Sequence, residues 1–277
     1  MAQQTISENV YLTGKLTGKT ARVVYSKHME LDDELQNKVA AYKVSQAALE
    51  PIKHAPLLFA VGITGAGKNA LLDYLVETYP NDYQFIVSHT TRPMRPYERQ
   101  DVNYHFVSFP TIEEMLDRGE FIEAQVVHYD NVYGTSIAEI ERAQVVHKIA
   151  CSDIEIQGVD EYHALGLNAK AVFLMPPTFD IWRERLLARY KEVGHIDRKD
   201  LKNRLKSALL EIQHALDRDY YYIVINEDLV DSAELVNQIA HGEDVPPHYP
   251  KAVAIAEHIM VAIREELAKL ETAEQPA

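Results

Sequence analysis

The 277-residue chain is predicted to fold as an α/β protein around a mostly parallel sheet flanked by helices, and three observations carry that prediction. Leu57 to Val61 is an unbroken apolar run that opens into a glycine-rich turn, as a strand buried on both faces does. Further runs of buried-strand type follow at Gln84 to Val87, His147 to Ile156, Ala171 to Met175 and Tyr221 to Ile225. Stretches with apolar residues at helical spacing separate them, and this alternation is that of βαβ units.

Composition bounds the function classes. With 47% hydrophobic and 25% charged residues the chain can bury a sizeable core, so disorder throughout is excluded. Asp and Glu number 42 against 28 Lys and Arg, and 28 − 42 = −14, which argues against a general nucleic-acid or anionic-membrane binder. Local basic clusters stay open. The lone cysteine, Cys151, rules out an internal disulfide framework or a cysteine metal site and fits a reducing compartment. Met1 to Val10 is polar, without a signal-peptide pattern, and the longest apolar candidate, Ala252 to Ile263, is interrupted by Glu257 and His258. The expectation is a cytoplasmic protein without a membrane or nucleic-acid partner.

In chain order, two short β-prone runs, Val10 to Leu12 and Arg22 to Tyr25, flank a linker containing Gly14 and Gly18 and suggest a hairpin. Met29 to Leu49 has apolar residues near helical spacing and stops before Pro51, so residues 1–55 read as an appendage of hairpin plus helix. After the strand at Leu57 to Val61, the pattern from Asn69 to Tyr79 is helical up to Pro80. A polar bridge, His241 to Pro250, precedes a last helix on which Ala252, Ile255, Ile259, Ile263, Leu267 and Leu270 share one face. That helix must dock on the body or on another subunit.

The turn after the first strand, Gly62-Ile63-Thr64-Gly65-Ala66-Gly67-Lys68-Asn69, matches the phosphate-binding pattern G-x-x-x-x-G-K, with Asn where Ser or Thr is usual. Glycines let successive backbone N–H groups turn onto phosphates, the helix N-terminus adds partial positive charge, and Lys68 reaches the β and γ phosphates. The usual hydroxyl holds Mg²⁺; the Asn69 carbonyl is a weaker ligand for it, direct or through a bound water. Downstream, Arg92 and Arg95 lie three apart in a proline-stiffened loop, a spacing that suits two guanidinium forks on one phosphate.

From the segment Val87 to Pro96 and Asn103 to Ser108 onward, the sequence resembles the guanylate kinases. The resemblance continues through Gly119 to Glu123, Tyr133 to Ser136, Asp153 to Gly158, Pro176-Pro177, the pair Arg185 and Arg189, Arg204-Leu205, and Ile225 to Leu229. It covers residues 56–240 and leaves 1–55 and 241–277 as flanks. What it implies is a P-loop NTPase-type parallel sheet with a GMP-binding subdomain and a lid. The reaction implied is phosphorylation of GMP or dGMP by MgATP. Ser88, Arg92, Arg95, Tyr104 and Tyr133 are the implied ligands of the GMP phosphate, and Glu123, Thr135 and Glu155 those of guanine. Asp153 is the implied orienter of magnesium, Asn226 an adenine-side residue, and Arg185, Arg189 and Arg204 the lid arginines, which with Lys68 and Arg92 would neutralise charge on the transferring group. A carboxylate at Glu123 can accept from guanine N1–H and N2–H₂ together, which adenine cannot offer.

The pattern departs from the family at Asn69, at Glu155 where Asp is usual, and by one residue inserted between Glu123 and Tyr133. Two other readings stay open: a related phosphotransferase acting on another phosphorylated acceptor, and a non-catalytic binding module. The flanks could form a homodimer interface, brace the sheet or dock a partner, and sequence does not choose among these.

Overall fold

The computed structural model describes residues 31–127, 130–193 and 198–272, with backbone alone for 189–193. The hairpin expected near residues 10–25 lies outside the described residues.

A five-stranded parallel sheet forms the body: β1 (Leu57–Val61), β2 (Tyr83–Phe85), β7 (Ile149–Asp153), β8 (Ala169–Met175) and β9 (Tyr221–Ile225), in the order β2-β7-β1-β8-β9. β1 sits in the middle with every residue buried, which is why its sequence is continuously apolar. Helices α3 (Lys68–Thr78), α6 (Ile156–Ala164) and α9 (Leu229–Ala240) pack against the sheet and close the main core. The run expected to be one strand from His147 to Ile156 is shorter. His147 takes a left-handed turn conformation (φ 57°), and Glu155 already caps α6, so Asp153 ends the strand at the sheet's C-terminal edge.

The second sheet was not among the strand candidates. It is formed by β3 (His89–Thr90), β4 (His105–Phe106), β5 (Phe121–Val127) and β6 (Asn131–Ser136), in the order β4-β3-β6-β5, with β5 and β6 antiparallel. β3 and β4 are two residues each, too short for any periodicity. β5 and β6 mix polar and apolar residues because one face lines a site rather than a core. From Glu123 opposite Thr135 to Val127 opposite Asn131 the pairing is continuous, and the register shifts between Phe121 and Glu123.

The helix expected from Met29 to Leu49 is broken. The chain forms α1 (Asp33–Ala41), an extended link Tyr42–Ser45, α2 (Gln46–Leu49) and a 3-10 turn, Glu50–Ile52. The cause is local chemistry that periodicity does not register. The Ser45 hydroxyl accepts from Ala48 N (3.2 Å) and starts a new helix, while the extended Tyr42 donates its hydroxyl to the Phe121 carbonyl (2.6 Å). Leu35 and Val39 of α1 join a small core with Ile112, Met115 and Leu116 of α4 (Phe109–Asp117) and with Phe121 and Val132. Leu49 and Ile52 enter the main core instead. The segment is therefore a strap that ties the small sheet to the large one.

The C-terminal helix α10 (Pro250–Thr272) packs on the body, along α7 (Phe179–Val193), α8 (Arg198–Leu216) and β9. Of the expected face, Ala252, Ile259, Ile263 and Leu267 are buried, whereas Ile255 and Leu270 flank the contact half-buried. The remaining helix, α5 (Ile137–Val145), follows β6. Among the described residues, no helix is long and apolar enough to cross a membrane.

Candidate functional site

The glycine loop connects β1 to α3 as expected, and two of its glycines are required by geometry. Gly62 has φ 133°, and a Cβ there would lie 2.3 Å from the Leu174 carbonyl oxygen. Gly67 has φ 103°, and a Cβ would lie 2.4 Å from Asn226 Nδ2. Ile63 and Ala66 are buried and anchor the loop from below. Trp182 Nε1 donates to Thr64 O and Asn226 Nδ2 to Ala66 O, each at 2.8 Å, so two carbonyls are tied outward. Gly67 is the N-cap of α3 and offers no side chain to the first-turn N–H groups, which leaves them for an anion. Lys68 curls back to donate to the Gly62 carbonyl at 2.5 Å. Asn69 lies exposed in the first turn of α3.

Asn226, for which the resemblance implies a place beside adenine, is buried, and its amide donates to the Ala66 carbonyl. It braces the loop from beneath. Arg185 reaches the same place: its Cβ lies 3.9 Å from a Cβ built on Gly65, and Nη2 donates to Asn226 O at 3.4 Å. Arg189 follows one turn later on α7. Arg204, on α8, donates to Asp200 at 2.8 Å.

Beside the loop lies a cavity of about 210 Å³, and Lys68 and Asp153 form part of its wall. Ser88, Tyr104, Glu123, Tyr133 and Glu155 line it as well, so residues from five separated segments converge beside the loop. Gln125, two residues beyond Glu123 on the same strand face, lines it too and was not anticipated. Thr135 stands just behind, with its N–H donating to Glu123 Oε1 at 3.0 Å and its hydroxyl 3.3 Å from Ser88 Oγ. Burial pushes the Glu123 carboxyl up to about 7. Burial also raises Asp153, against the pull of the Lys68 ammonium. Tyr104 is pushed up to about 12, first by burial and then by Asp153, so its phenol stays protonated and can donate.

Arg92 is held in place rather than free. Its Nε donates to the Tyr133 hydroxyl (3.0 Å), and its fork grips Glu98 at 2.8 and 3.0 Å. Its guanidinium also packs 5.3 Å from the Tyr104 ring centroid. Glu98 accepts from Arg95 N as well (2.7 Å), and the Arg92 hydrogen bonds hold its carboxyl below the usual range. Arg95 is exposed, with Nη1 3.4 Å from the Tyr97 hydroxyl, at the rim of the site rather than inside it. Sequence reasoning missed Glu98: a single acid in a polar loop has no period, and its position three residues after Arg95 was the available signal.

Glu139 was missed for the same reason. Buried in the first turn of α5, it accepts from Val87 N (2.8 Å), Arg142 (2.7 Å) and, at 3.2 Å, pairs with His105 Nε2, which fixes the strand leading to Ser88. Glu211 of α8 lies close enough to Glu155 and Lys68 to feel both charges. Its carboxyl is pushed up to about 7, first by burial and then by Glu155.

A family model described as guanylate kinase matches residues 55–242. The guanylate kinase of Helicobacter hepaticus is 37% identical over 189 residues, which are 67% of this chain and 90% of that protein. Rice guanylate kinase 1 is 34% identical over 184 residues, 66% of this chain, and the match spans about half of the rice protein, 47%. The crystal structure of a guanylate kinase from Anaplasma phagocytophilum superposes with a TM-score of 0.50 at 23% identity, covering 72% of this chain and 90% of that one, a likeness of fold. With a glycine loop, an acceptor cavity and a family match that spans both, the chain belongs to the guanylate kinase family.

Proposed function

We propose that the chain transfers the γ-phosphoryl group of ATP to GMP or dGMP, giving ADP and GDP or dGDP. The observation that carries this reading is that Lys68 belongs to the phosphate loop and also lines the cavity that contains Glu123, so donor and acceptor phosphates would meet at one ammonium. A GMP phosphate oxygen forms a bond to the γ-phosphorus as the bond to the ADP oxygen breaks. That attacking oxygen is already ionised at neutral pH, so no side chain need serve as a general base. Lys68, Arg92 and Arg185, with Arg189 and Arg204 from α7 and α8, neutralise charge on the transferring group. Ser88, Tyr104 and Tyr133 donate to the acceptor phosphate, joined by Arg95 at the rim. Glu123, Thr135 and Glu155 hold guanine.

Among the described residues no cluster of three acidic or histidine side chains could hold a metal by itself. The donor set here, the Asp153 carboxylate with the Asn69 carbonyl, fits magnesium carried chiefly by substrate phosphates and water. Bound there, Mg²⁺ would supply positive charge that offsets the charge developing on the transferring group. Asp153 would orient that ion's waters, and Asn69 would contribute less than a hydroxyl. The kinase unit spans 56–240, with 1–55 and 241–277 as flanks. Cys151, buried and reduced, supports a cytoplasmic setting.

The full chain with MgATP should form ADP with GMP and dGMP, and at least about 10³-fold more slowly with AMP, because a site built around an unshared acceptor rejects the wrong donor pattern. Ribose 5-phosphate should be inert. ADP formation that is independent of GMP, or preferred with the sugar phosphate, would overturn the reading.

Glu98 supplies a separate check. Glu98→Ala removes the bidentate partner of Arg92, so the guanidinium is no longer held against Tyr104 and Tyr133. The expected result is a rise of about tenfold in KM for GMP, with KM for ATP changed less than about twofold, in steady-state kinetics. Equal effects on both substrates would show instead a general loss of structure.

A further inference from the structure

A second cavity, of about 440 Å³, lies outside the acceptor site. Its walls come from the strap (Val39, Tyr42, Val44), from Ile122 to Val126 of β5, and from Glu161 to Leu165 at the end of α6. Side chains of a strand alternate between faces, so a cavity that touches five consecutive residues runs along the strand's edge. Among the described residues β5 is last in the order β4-β3-β6-β5, and an edge strand turns unpaired N–H and C=O groups outward. The volume falls within the range of small-ligand sites, roughly 300–1,000 Å³.

The cavity's charge is uneven. Val39, Ala124, Val126 and Leu165 make it largely apolar, while Glu161 brings a half-buried carboxyl whose pKa burial raises and the Lys43 charge lowers. Lys43 is exposed at the rim, and among the described residues no cation forms an ion pair with Glu161. A desolvated carboxylate without a partner is satisfied by a cationic N–H donor. We propose that this cavity binds a small molecule with a flat apolar body and an ammonium group, the ammonium on Glu161 and the body along the free edge of β5. Glu123 and Gln125 line both cavities, so an occupant would also act on the acceptor site, a consequence that rests on the proposed reaction.

Tryptamine has such a body and head, and indole-3-propionate keeps the body but reverses the charge. Titrated into the full chain and followed by saturation-transfer NMR, tryptamine should bind saturably in the millimolar range expected of a fragment, and indole-3-propionate at least about tenfold more weakly. Glu161→Gln should weaken tryptamine about tenfold, and Ala164→Trp at the exposed rim should block it. Saturating GMP should not displace it, and should shift its affinity only by the same modest factor by which tryptamine shifts that of GMP, since the two ligands occupy different cavities. No saturable binding, equal binding of the anion, persistence in both variants, or displacement by GMP would each overturn the site. In kinetics, saturating tryptamine should change KM for GMP at least about twofold. No change would overturn only the coupling, since the binding measurements do not depend on the reaction.

Discussion

Lys68→Ala is expected to lower phosphoryl transfer from ATP to GMP by about 10³-fold or more, with the fold intact. The ammonium is the cation that belongs to both the loop and the acceptor cavity, so its loss leaves charge on the transferring group uncompensated where the two substrates meet. Its structural role is small: the side chain is half-buried and donates to one carbonyl, Gly62 O, which water can satisfy. Thermal unfolding should therefore shift by no more than a few degrees, while coupled-assay ADP formation collapses. Lys68→Arg is expected to rescue little, because a planar fork does not replace a compact ammonium in a loop this close. Activity of the alanine variant within tenfold of the parent chain would remove Lys68 from the mechanism.

The large sheet was legible because parallel strands covered on both faces must be continuously apolar, and Leu57–Val61 and Tyr221–Ile225 are bounded as their sequences imply. The small sheet was not, because β5 and β6 carry Glu123, Gln125 and Thr135 toward a site, and function there replaces the alternation that marks an ordinary strand. The loop could be named from its own spacing, and the acceptor residues only from the family resemblance. What supports them could not. Glu139 accepts the Val87 N–H across a separation that no local pattern records, and Glu98 accepts from Arg95 N and the Arg92 fork in a polar loop that has no period. The break in the strap was readable in retrospect: Ser45 is an N-cap residue inside a helical period, and a cap outweighs periodicity when the next turn can be satisfied. Asn226 adds a support that its motif position did not announce, an amide N–H donated to the loop carbonyl of Ala66.

Glu123→Gln separates binding from stability. The carboxyl is buried, accepts one bond from Thr135 N, and is pushed up to about 7 from its ordinary 4.5. A folded-state pKa raised above the unfolded value means that the native protein holds a proton the unfolded chain releases between pH 4.5 and 7. Stability contributed by that group is present below the unfolded value and is lost as pH rises through the folded one, by about 3 kcal/mol in total. Glutamine carries no such charge, so the variant should be more stable than the parent at pH 8 and nearly equal at pH 4, measured by urea unfolding. Binding should move the other way. The carboxylate accepts two guanine N–H groups, whereas an amide accepts one and turns its own N–H toward the other, so kcat/KM for GMP should fall about 10²-fold. In the parent chain kcat/KM should climb as pH rises through 7, where Glu123 ionises, and this limb should disappear in the variant. The GMP phosphate titrates in both proteins, so the difference between the two profiles isolates Glu123. A variant that loses stability at pH 8, or that keeps kcat/KM for GMP within threefold, would show that the carboxyl holds the strands together rather than selecting the base.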